Sequence, residues 1–295
     1  MQAGRLLALL LLVAFISISG CRKHTSGAIL DPPGTDTVSV NPTNPDTPPE
    51  DSVSLPDTYN QVGIHVNIGK NVGGFYEALP PSYDSSSNKF PLLLFLHGGG
   101  ELGDGSSDSL PLLLKNSLTK RLYEKTLPLA FTVNGHDFSF IVISPQFKKW
   151  PTVEDVHDVM EYALKNYRVD SSRIYLSGLS MGGGVTWEYA GSKYGKSLAA
   201  IVPICGASWA DSAVARQIAK NEVPAWAFHN EGDQVVTVNS TKRYARLINA
   251  ENPPVPVRVT YWESTAHDAW TKASDPEYRE EGKNMYEWML QFVRE

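Results

Sequence analysis

Residues 173–184 read RIYLSGLSMGGG, and this stretch indicates the fold more strongly than any other part of the chain. A short β-branched and aromatic run leads into a Gly-x-Ser-x-Gly pattern, which a helix-compatible segment follows. This order is typical of a strand, a strained turn that carries Ser180, and a helix that begins directly after the turn. Because Gly178 and Gly182 have no Cβ, the strand and helix backbones can approach closely around Ser180. The pattern predicts a serine nucleophile, although a glycine-rich turn can also be only a tight connection.

Short apolar or β-rich runs alternate with helix-compatible segments on both sides of this stretch. The runs predict strands at 63–68, 74–79, 91–96, 138–144, 173–177, 199–204, 225–228 and 257–262. The helical segments lie at about 109–124, 153–166, 181–194, 211–220, 238–249 and 280–294. The alternation predicts an α/β fold with a mostly parallel central sheet and helices on both faces, after two antiparallel opening strands. In such sheets ligands bind beyond the carboxyl ends of the strands, where the polar motifs of this chain fall.

A candidate base for Ser180 and a candidate carboxylate to orient that base follow the last two predicted strands. Asp233 lies in the segment HNEGDQVV, and His267 lies in the segment ESTAHDAW. The order Ser, Asp, His along the chain is the one that α/β-hydrolases use. His267 is therefore the candidate base, and Asp233 is the candidate that orients its imidazole ring.

Other residues compete for these two roles. Glu231 could replace Asp233, but the two valines that follow place Asp233 better on the loop that leaves the strand. His229 lies at a strand end and is interpreted as a structural histidine, with the base role left open. His97 and His157 are weaker candidates for the base.

A glycine-rich segment, HGGGE at 97–101, follows the first buried parallel strand. Glycines let backbone N–H groups point at a developing oxyanion without obstruction by side chains. The predicted donors are Gly99 and Met181, the residue after the nucleophile, with Gly100 as a substitute for Gly99. Glu101 is interpreted as a carboxylate that fixes this loop.

Three tryptophans lie in loops expected at the active face, namely Trp150, Trp209 and Trp270. They predict either an apolar or sugar-stacking wall for a substrate or a cap on the core. Gln146 is a further candidate for a polar substrate contact.

The N-terminal region carries the features of an exported lipoprotein. Residues 6–19 form an apolar run after Arg5 that is short for a membrane span and is typical of a signal peptide. Ser19 and Gly20 precede Cys21 in a pattern that resembles a bacterial lipobox, so Cys21 is the predicted lipidation site. An ordinary secretory signal is the alternative. Only one other cysteine, Cys205, is present, so no disulfide is expected.

These features predict three regions with different roles. Residues 1–20 form the signal peptide, 21–58 form a tether rich in Pro, Thr and Ser, and 59–295 form one catalytic domain. The chain is expected to be an exported bacterial lipoprotein that is anchored to a membrane and faces the periplasm or the cell surface. We expect a monomer.

The charge balance argues against nucleic acid as a partner. The formal net charge is −6 and no basic stripe is present along the chain. The histidines are scattered and lack the spacing of metal ligands, so neither a metal nor an organic cofactor is expected.

Four ordered motifs resemble those of secreted α/β-hydrolase esterases. They are PLLLFLHGGG at 91–100, RIYLSGLSMGGG at 173–184, IVPICG at 201–206 and HDAW at 267–270. The resemblance covers about residues 60–295 and is to the poly(3-hydroxybutyrate) depolymerase-like, "predicted peptidase" and feruloyl or acetylxylan esterase families. It implies Ser180, Asp233 and His267 as the catalytic triad. The chain departs from many relatives in having Asn230 where a glycine often follows the histidine.

The resemblance and the motifs together lead to one main hypothesis and several alternatives. The main hypothesis is a serine carboxylic-ester hydrolase that acts through an acyl-enzyme and removes acetyl or feruloyl groups from plant polysaccharide. A serine peptidase and a polyester depolymerase are alternative enzymes. A lipoprotein that binds glycan without catalysis is the alternative from another class.

Overall fold

An eight-stranded sheet forms the centre of the computed structural model, which describes residues 58–295. The strands lie in the order β1, β2, β6, β3, β7, β8, β9, β10 across the sheet. The first two adjacencies, β1 with β2 and β2 with β6, are antiparallel, and all later ones are parallel. The predicted mostly parallel α/β sheet with two antiparallel opening strands is confirmed.

The strands of the main sheet and of a small hairpin have well-defined bounds. They are β1 (Asn60–Ile64), β2 (Val72–Leu79), β3 (Phe90–Leu96), β4 (Phe131–Val133), β5 (His136–Phe138), β6 (Ile141–Phe147), β7 (Val169–Leu179), β8 (Ala200–Ile204), β9 (Trp226–Asn230) and β10 (Arg258–Trp262). The helices are α1 (Ser117–Tyr123), α2 (Val153–Asn166), α3 (Met181–Ala190), α4 (Ser212–Lys220), α5 (Asn239–Asn249), α6 (Trp270–Ala273) and α7 (Met285–Leu290). None of these helices is long and apolar enough to cross a bilayer.

Strand β3 shows why helices cover both faces of the sheet. All seven of its residues are buried, as expected of a parallel strand with both faces covered. Leu92, Leu94 and Leu96 belong to one apolar cluster, while Leu93 and Phe95 belong to the other. The first cluster includes residues of α2 to α5, and the second includes residues of α1 and α7. The period of two in a strand thus divides its side chains between two cores.

Several element bounds differ from those predicted. The helix predicted at 109–124 is a 3₁₀ segment at Leu110–Lys115 followed by α1, because Asn116 is extended, with φ −137° and ψ 154°, and Ser117 has a positive φ of 53°. The predicted opening strand at 63–68 is wrong in its bounds, since β1 ends at Ile64. The β4–β5 hairpin at Asn134 and Gly135 was not predicted; its turn residues both have positive φ. The predicted signal peptide, Cys21 and most of the predicted tether lie outside the described residues.

Candidate active site

Ser180 lies at the sharp turn between β7 and α3. Its backbone has φ 52° and ψ −114°, a conformation that costs energy for any residue with a side chain. A Cβ at Gly178 would lie 2.6 Å from the backbone of Gly182, and one at Gly182 would lie 2.3 Å from the carbonyl oxygen of Leu96. The turn therefore requires glycine on both sides of Ser180, as the Gly-x-Ser-x-Gly pattern predicts.

Ser180, His267 and Asp233 meet at the carboxyl edge of the sheet. Ser180 Oγ lies 2.8 Å from His267 Nε2, and His267 Nδ1 lies 2.7 Å from Asp233 Oδ2. A carboxylate only accepts hydrogen bonds, so the His267 Nδ1–H donates to Asp233 and Nε2 is free to accept from the Ser180 hydroxyl. The three residues follow the ends of β7, β9 and β10. Along the chain Ser180 and Asp233 are 53 positions apart, and Asp233 and His267 are 34 positions apart.

The Asp233 carboxylate is fixed by its own loop as well as by His267. Its Oδ1 accepts hydrogen bonds from the backbone N–H groups of Val235 at 2.8 Å and Val236 at 3.0 Å. Its Oδ2 faces His267 Nδ1 at 2.7 Å and also lies 3.4 Å from His229 Nε2. The side chain of Asp233 is fully buried, whereas that of His267 is 15% exposed, which gives the imidazole access to a substrate and to water.

The loops that carry Asp233 and His267 are bonded to each other along their length. The N–H of Glu231 donates to the carbonyl of Trp262, and the N–H of Gly232 donates to the carbonyl of Ser264, both at 2.9 Å. The buried side chain of Asn230 donates to the carbonyl of Ala266 at 2.8 Å. Asn230, which sequence reasoning named only as a departure from related families, therefore fixes the position of the His267 loop. A polar residue directly at the end of a buried strand is the signal that could have identified it.

His229 is buried next to Asp233 and His267, and both of its ring nitrogens are hydrogen-bonded within the protein. Its Nε2 donates to the carbonyl of Val236 at 2.9 Å, so its Nδ1 accepts from the hydroxyl of Thr241 at 2.8 Å. Burial lowers the pKa of His229 and keeps the ring neutral. Its position supports the interpretation as a structural histidine, because His267 is the histidine that contacts Ser180.

The glycine-rich loop packs directly against the Ser180 turn. A Cβ at Gly98 would lie 3.5 Å from Ser180 Cβ and 2.6 Å from Leu179 Cδ1, so the closest approach occurs one residue before the predicted donor Gly99. A Cβ at Gly99 or Gly100 would meet no atom within 4 Å, which leaves open space in front of this loop. The N–H of Met181 is the first of α3 and has no partner inside the helix.

His97 anchors the base of the same loop. Its Nε2 accepts a hydrogen bond from the N–H of Phe147 at 3.0 Å, and its Nδ1 donates to the carbonyl of Gly98 at 2.6 Å. Burial lowers the pKa of His97 from 6.5 to about 4, with the bond to Gly98 opposing this shift. The neutral ring is required, because only a neutral imidazole nitrogen can accept from Phe147.

Gln146 has a structural role in place of the predicted substrate contact. The side chain is completely buried, and its Oε1 accepts from the N–H of Gly105 at 2.9 Å and from the hydroxyl of Ser109 at 3.0 Å. Its Nε2 donates to the carbonyls of Glu101 at 3.0 Å and Ser109 at 2.7 Å. These bonds connect β6 to both sides of the loop that follows Gly100, so no polar atom of Gln146 is available to a substrate.

Glu101 fixes this loop from within, as the sequence suggested. The residue is buried, and Asn116 donates a short hydrogen bond to its Oε1. Its Oε2 would lie 3.1 Å from a Cβ at Gly98. The carboxylate thus lies between the start of α1 and the glycine that faces Ser180.

The three predicted tryptophans have different environments. Trp270 is partly buried, and its ring meets the His267 ring edge to face at a centroid distance of 5.2 Å. Trp150 is 51% exposed and Trp209 is 80% exposed. Trp270 therefore contacts the candidate base, while the other two present open aromatic surface.

Cys205 lies beneath the candidate triad. Its Sγ and the nearest ligand atoms of Asp233 and His267 all lie within 4.8 Å of one another. Burial raises the pKa of the Cys205 thiol well above its usual range. A protonated thiol beside an Asp–His hydrogen bond does not favour a metal centre, because metal ligation requires thiolate.

Comparisons with known proteins identify the family. The model of the family described as phospholipase/carboxylesterase matches residues 83–274, which is more than half of the chain. The chain belongs to this family. It is an α/β-hydrolase esterase, an enzyme of the serine hydrolase type, as the four motifs implied.

Solved structures with the same fold include several esterases. A thermostable esterase has a TM-score of 0.57 and 21% identity; the match covers 81% of this chain but only 64% of that esterase. A ferulic acid esterase has a TM-score of 0.56 and 15% identity over 74% of this chain and 95% of its own. The feruloyl esterase module from Clostridium thermocellum, complexed with sinapinate, has a TM-score of 0.55 and 18% identity over 73% and 83%. No curated protein matches the sequence.

Proposed function

We propose that this esterase hydrolyses carboxylic esters through an acyl-enzyme on Ser180. His267 is the general base, and the Asp233 carboxylate orients the His267 imidazole. The observation that carries the proposal is the continuous pair of hydrogen bonds, 2.8 Å and 2.7 Å long, that joins the three side chains. The strained turn at Ser180 adds support, because it projects the hydroxyl from the edge of the sheet.

In the first half of the reaction, Ser180 Oγ attacks the ester carbonyl while its proton passes to His267 Nε2. The Asp233 carboxylate stabilises the imidazolium through Nδ1. The carbonyl oxygen becomes an oxyanion, and the N–H groups of Met181 and Gly99 are the proposed donors to it. Collapse of this intermediate breaks the bond to the alkoxide, which takes the proton from Nε2 and leaves as an alcohol.

In the second half, a water molecule replaces the alcohol. His267 Nε2 removes a proton from the water as its oxygen attacks the acyl carbon. The second tetrahedral intermediate then releases Ser180 Oγ, which recovers its proton from His267. The products are a carboxylic acid and the free enzyme.

The proposed substrates are acetyl or feruloyl esters on plant polysaccharide. Two solved structures of the same fold have names that refer to ferulate, a ferulic acid esterase and a feruloyl esterase module. The exposed aromatic surface of Trp150 and Trp209 adds support, since such rings stack on sugars and on aromatic acyl groups.

A series of p-nitrophenyl esters tests the reaction, and decorated xylan tests the substrate. We expect the chain to hydrolyse the acetate-to-octanoate and feruloyl esters, Ser180→Ala to lose this activity, and xylan to release acetate or ferulate. Equal rates in both proteins would contradict the triad. Turnover of small esters without release of either acid from xylan would retain the esterase and reject the substrate.

Three further assays separate the alternatives. Faster cleavage of p-nitroanilide peptides than of esters would favour a peptidase, and release of hydroxy acids from polyester would favour a depolymerase. Failure of the folded chain to react with a fluorophosphonate would favour a glycan-binding protein without catalysis.

The proposed location is a bacterial membrane, to which a lipid on Cys21 would anchor the enzyme. The support is the apolar run at 6–19 and the Ser-Gly-Cys sequence that follows it. Expression of the full chain with labelled fatty acid would test this proposal. Label in the wild-type chain and none in Cys21→Ser supports it, whereas equal labelling contradicts it.

A further inference from the structure

A small cavity lies beside the loop that follows β8. Its volume is about 190 Å³, and it is lined by Trp209, Ala210, Thr237, Asn239, Ser240 and Arg243. Pockets for drug-sized ligands usually measure about 300–1,000 Å³, so this cavity suits a single ring. One wall comes from the segment after β8, and the other comes from the start of α5 and the residues just before it.

The cavity is connected to the candidate nucleophile through a short stretch of backbone. The N–H of Ala207 donates to the carbonyl of Ser180 at 2.8 Å. Trp209 follows two residues later, so its Cα lies at most about 7.6 Å from that of Ala207. The opposite wall is tied to the same segment, because the hydroxyl of Ser240 donates a short hydrogen bond to the carbonyl of Ser208. The segment that carries Trp209 is thus hydrogen-bonded at Ala207 to the backbone of the Ser180 turn.

Trp209 gives the cavity an aromatic wall that the fold does not use. Its side chain is 80% exposed, the highest exposure among the exposed large apolar residues of the described chain. By contrast, Trp187 and Trp226 are completely buried. An exposed indole face provides a flat apolar platform on which the C–H face of a sugar ring can pack.

Arg243 contributes a positive charge to the lining of the cavity. Within residues 58–295, its guanidinium makes no ion pair or hydrogen bond, whereas the preceding Lys242 pairs with Glu231 at 3.1 Å. A guanidinium binds a carboxylate through two parallel hydrogen bonds. The chain carries a net charge of −6, so its overall charge does not attract anions and a local cation has to supply that attraction.

We propose that Trp209 and Arg243 form a subsite for an acidic sugar, a uronic acid residue of the polysaccharide whose ester is cleaved at Ser180. The indole would stack on the sugar ring and the guanidinium would bind its carboxylate. A feruloyl group fits this pair less well, because its carboxyl group is esterified in the substrate and carries no charge. This subsite rests on the proposed esterase function, which it makes more specific.

Binding of ester-free sugars tests the subsite independently of catalysis. The probes are xylotetraose and the same oligosaccharide with one glucuronic acid branch, titrated calorimetrically into the unaltered chain. We expect the acidic sugar to bind at least about tenfold more tightly, and this preference to weaken with added salt. Arg243→Gln should abolish the preference, and Arg243→Lys should retain part of it. Trp209→Ala should weaken the binding of both sugars.

Arg246→Gln is the matched control, because Arg246 is exposed on the same helix and does not line the cavity. Equal affinity for the two sugars, or an equal loss of preference in Arg246→Gln and Arg243→Gln, would overturn the subsite. A loss of feruloyl-ester kcat/KM in Arg243→Gln without any loss of sugar preference would assign the cavity to the acyl group instead. Hydrolysis of p-nitrophenyl acetate by the unaltered chain tests the proposed esterase function separately.

Discussion

Two sets of loops leave the carboxyl edge of the same sheet, and the protein holds them in different ways. The loops with Gly98, Asp233 and His267 are fixed by buried polar side chains, namely His97, Gln146 and Asn230. Trp150 and Trp209 lie on neighbouring loops with most of their surface in solvent.

This difference separates two requirements of an esterase. Reacting atoms have to be held within a fraction of an ångström, and buried hydrogen bonds provide that precision because breaking them leaves unsatisfied polar groups. A binding rim only has to present surface to a substrate. We therefore expect substitutions in the fixed loops to change kcat, and substitutions on the rim to change KM.

The largest expected effect is that of Ser180→Ala on ester hydrolysis. Loss of the attacking oxygen should lower kcat by about 10⁴-fold or more, because the remaining groups can only position a substrate. The measurement is the rate with p-nitrophenyl acetate together with labelling by a fluorophosphonate. If the folded variant still reacted with the fluorophosphonate, Ser180 would not be the nucleophile.

Lowering the pH should reduce the free energy of unfolding, because it disfavours the neutral, buried form of His97. Its pKa is depressed to about 4 in the folded protein, against 6.5 for an exposed histidine, so the unfolded chain binds the extra proton first as the pH falls. The stability that neutral His97 contributes is complete above about pH 6.5 and is lost between there and pH 4. The loss amounts to about 3 kcal/mol.

Urea unfolding at pH 7 and pH 4.5 measures this contribution. In His97→Gln the fall in the free energy of unfolding between these two values should be smaller than in the unaltered chain. An identical fall in both proteins would show that the titration of other groups controls acid stability.

Gln146→Leu should lower kcat for small esters by about 10- to 100-fold, with a smaller change in KM. The substitution removes the bonds that connect β6 to Glu101, Gly105 and Ser109, so the glycine-rich loop loses its fixed position. Steady-state kinetics on p-nitrophenyl acetate provide the test.

Gln217→Leu is the control for that substitution. Gln217 also donates a side-chain hydrogen bond, to Asn221, but it lies on α4 away from the triad. If both leucine variants lose kcat equally, the effect is general destabilisation and Gln146 has no special role in positioning.

The smallest expected effect is that of Trp150→Ala. We expect KM for a polymeric ester to rise about two- to fivefold with kcat unchanged, because contact with one exposed aromatic ring is worth about 1 kcal/mol or less. A large fall in kcat would show that Trp150 helps to hold the reacting groups. The distinction between the hydrogen-bonded loops and the exposed tryptophan loops would then be weaker.

The fold could be predicted because its signals are local. The continuous apolar run of β3 indicates a strand covered on both faces, and the glycines around Ser180 mark a turn where any Cβ would clash. Bounds were less predictable where a few backbone angles decide them. The break between the 3₁₀ segment and α1 depends on the extended backbone of Asn116 and the positive φ of Ser117, and no residue pattern nearby predicts either angle.

The sequence by itself determined the strand order along the chain, the turn at Ser180 and the choice of Asp233 and His267 as its partners. These follow from residue types at the ends of predicted strands, and parallel strands bring their carboxyl ends together. Only the tertiary structure decided that Gln146 is a loop anchor, that Asn230 fixes the His267 loop, and that Trp209 lies open beside Arg243. These roles depend on partners up to 45 residues away along the chain, and a polar side chain has the same sequence signature whether its partner is the protein or a substrate.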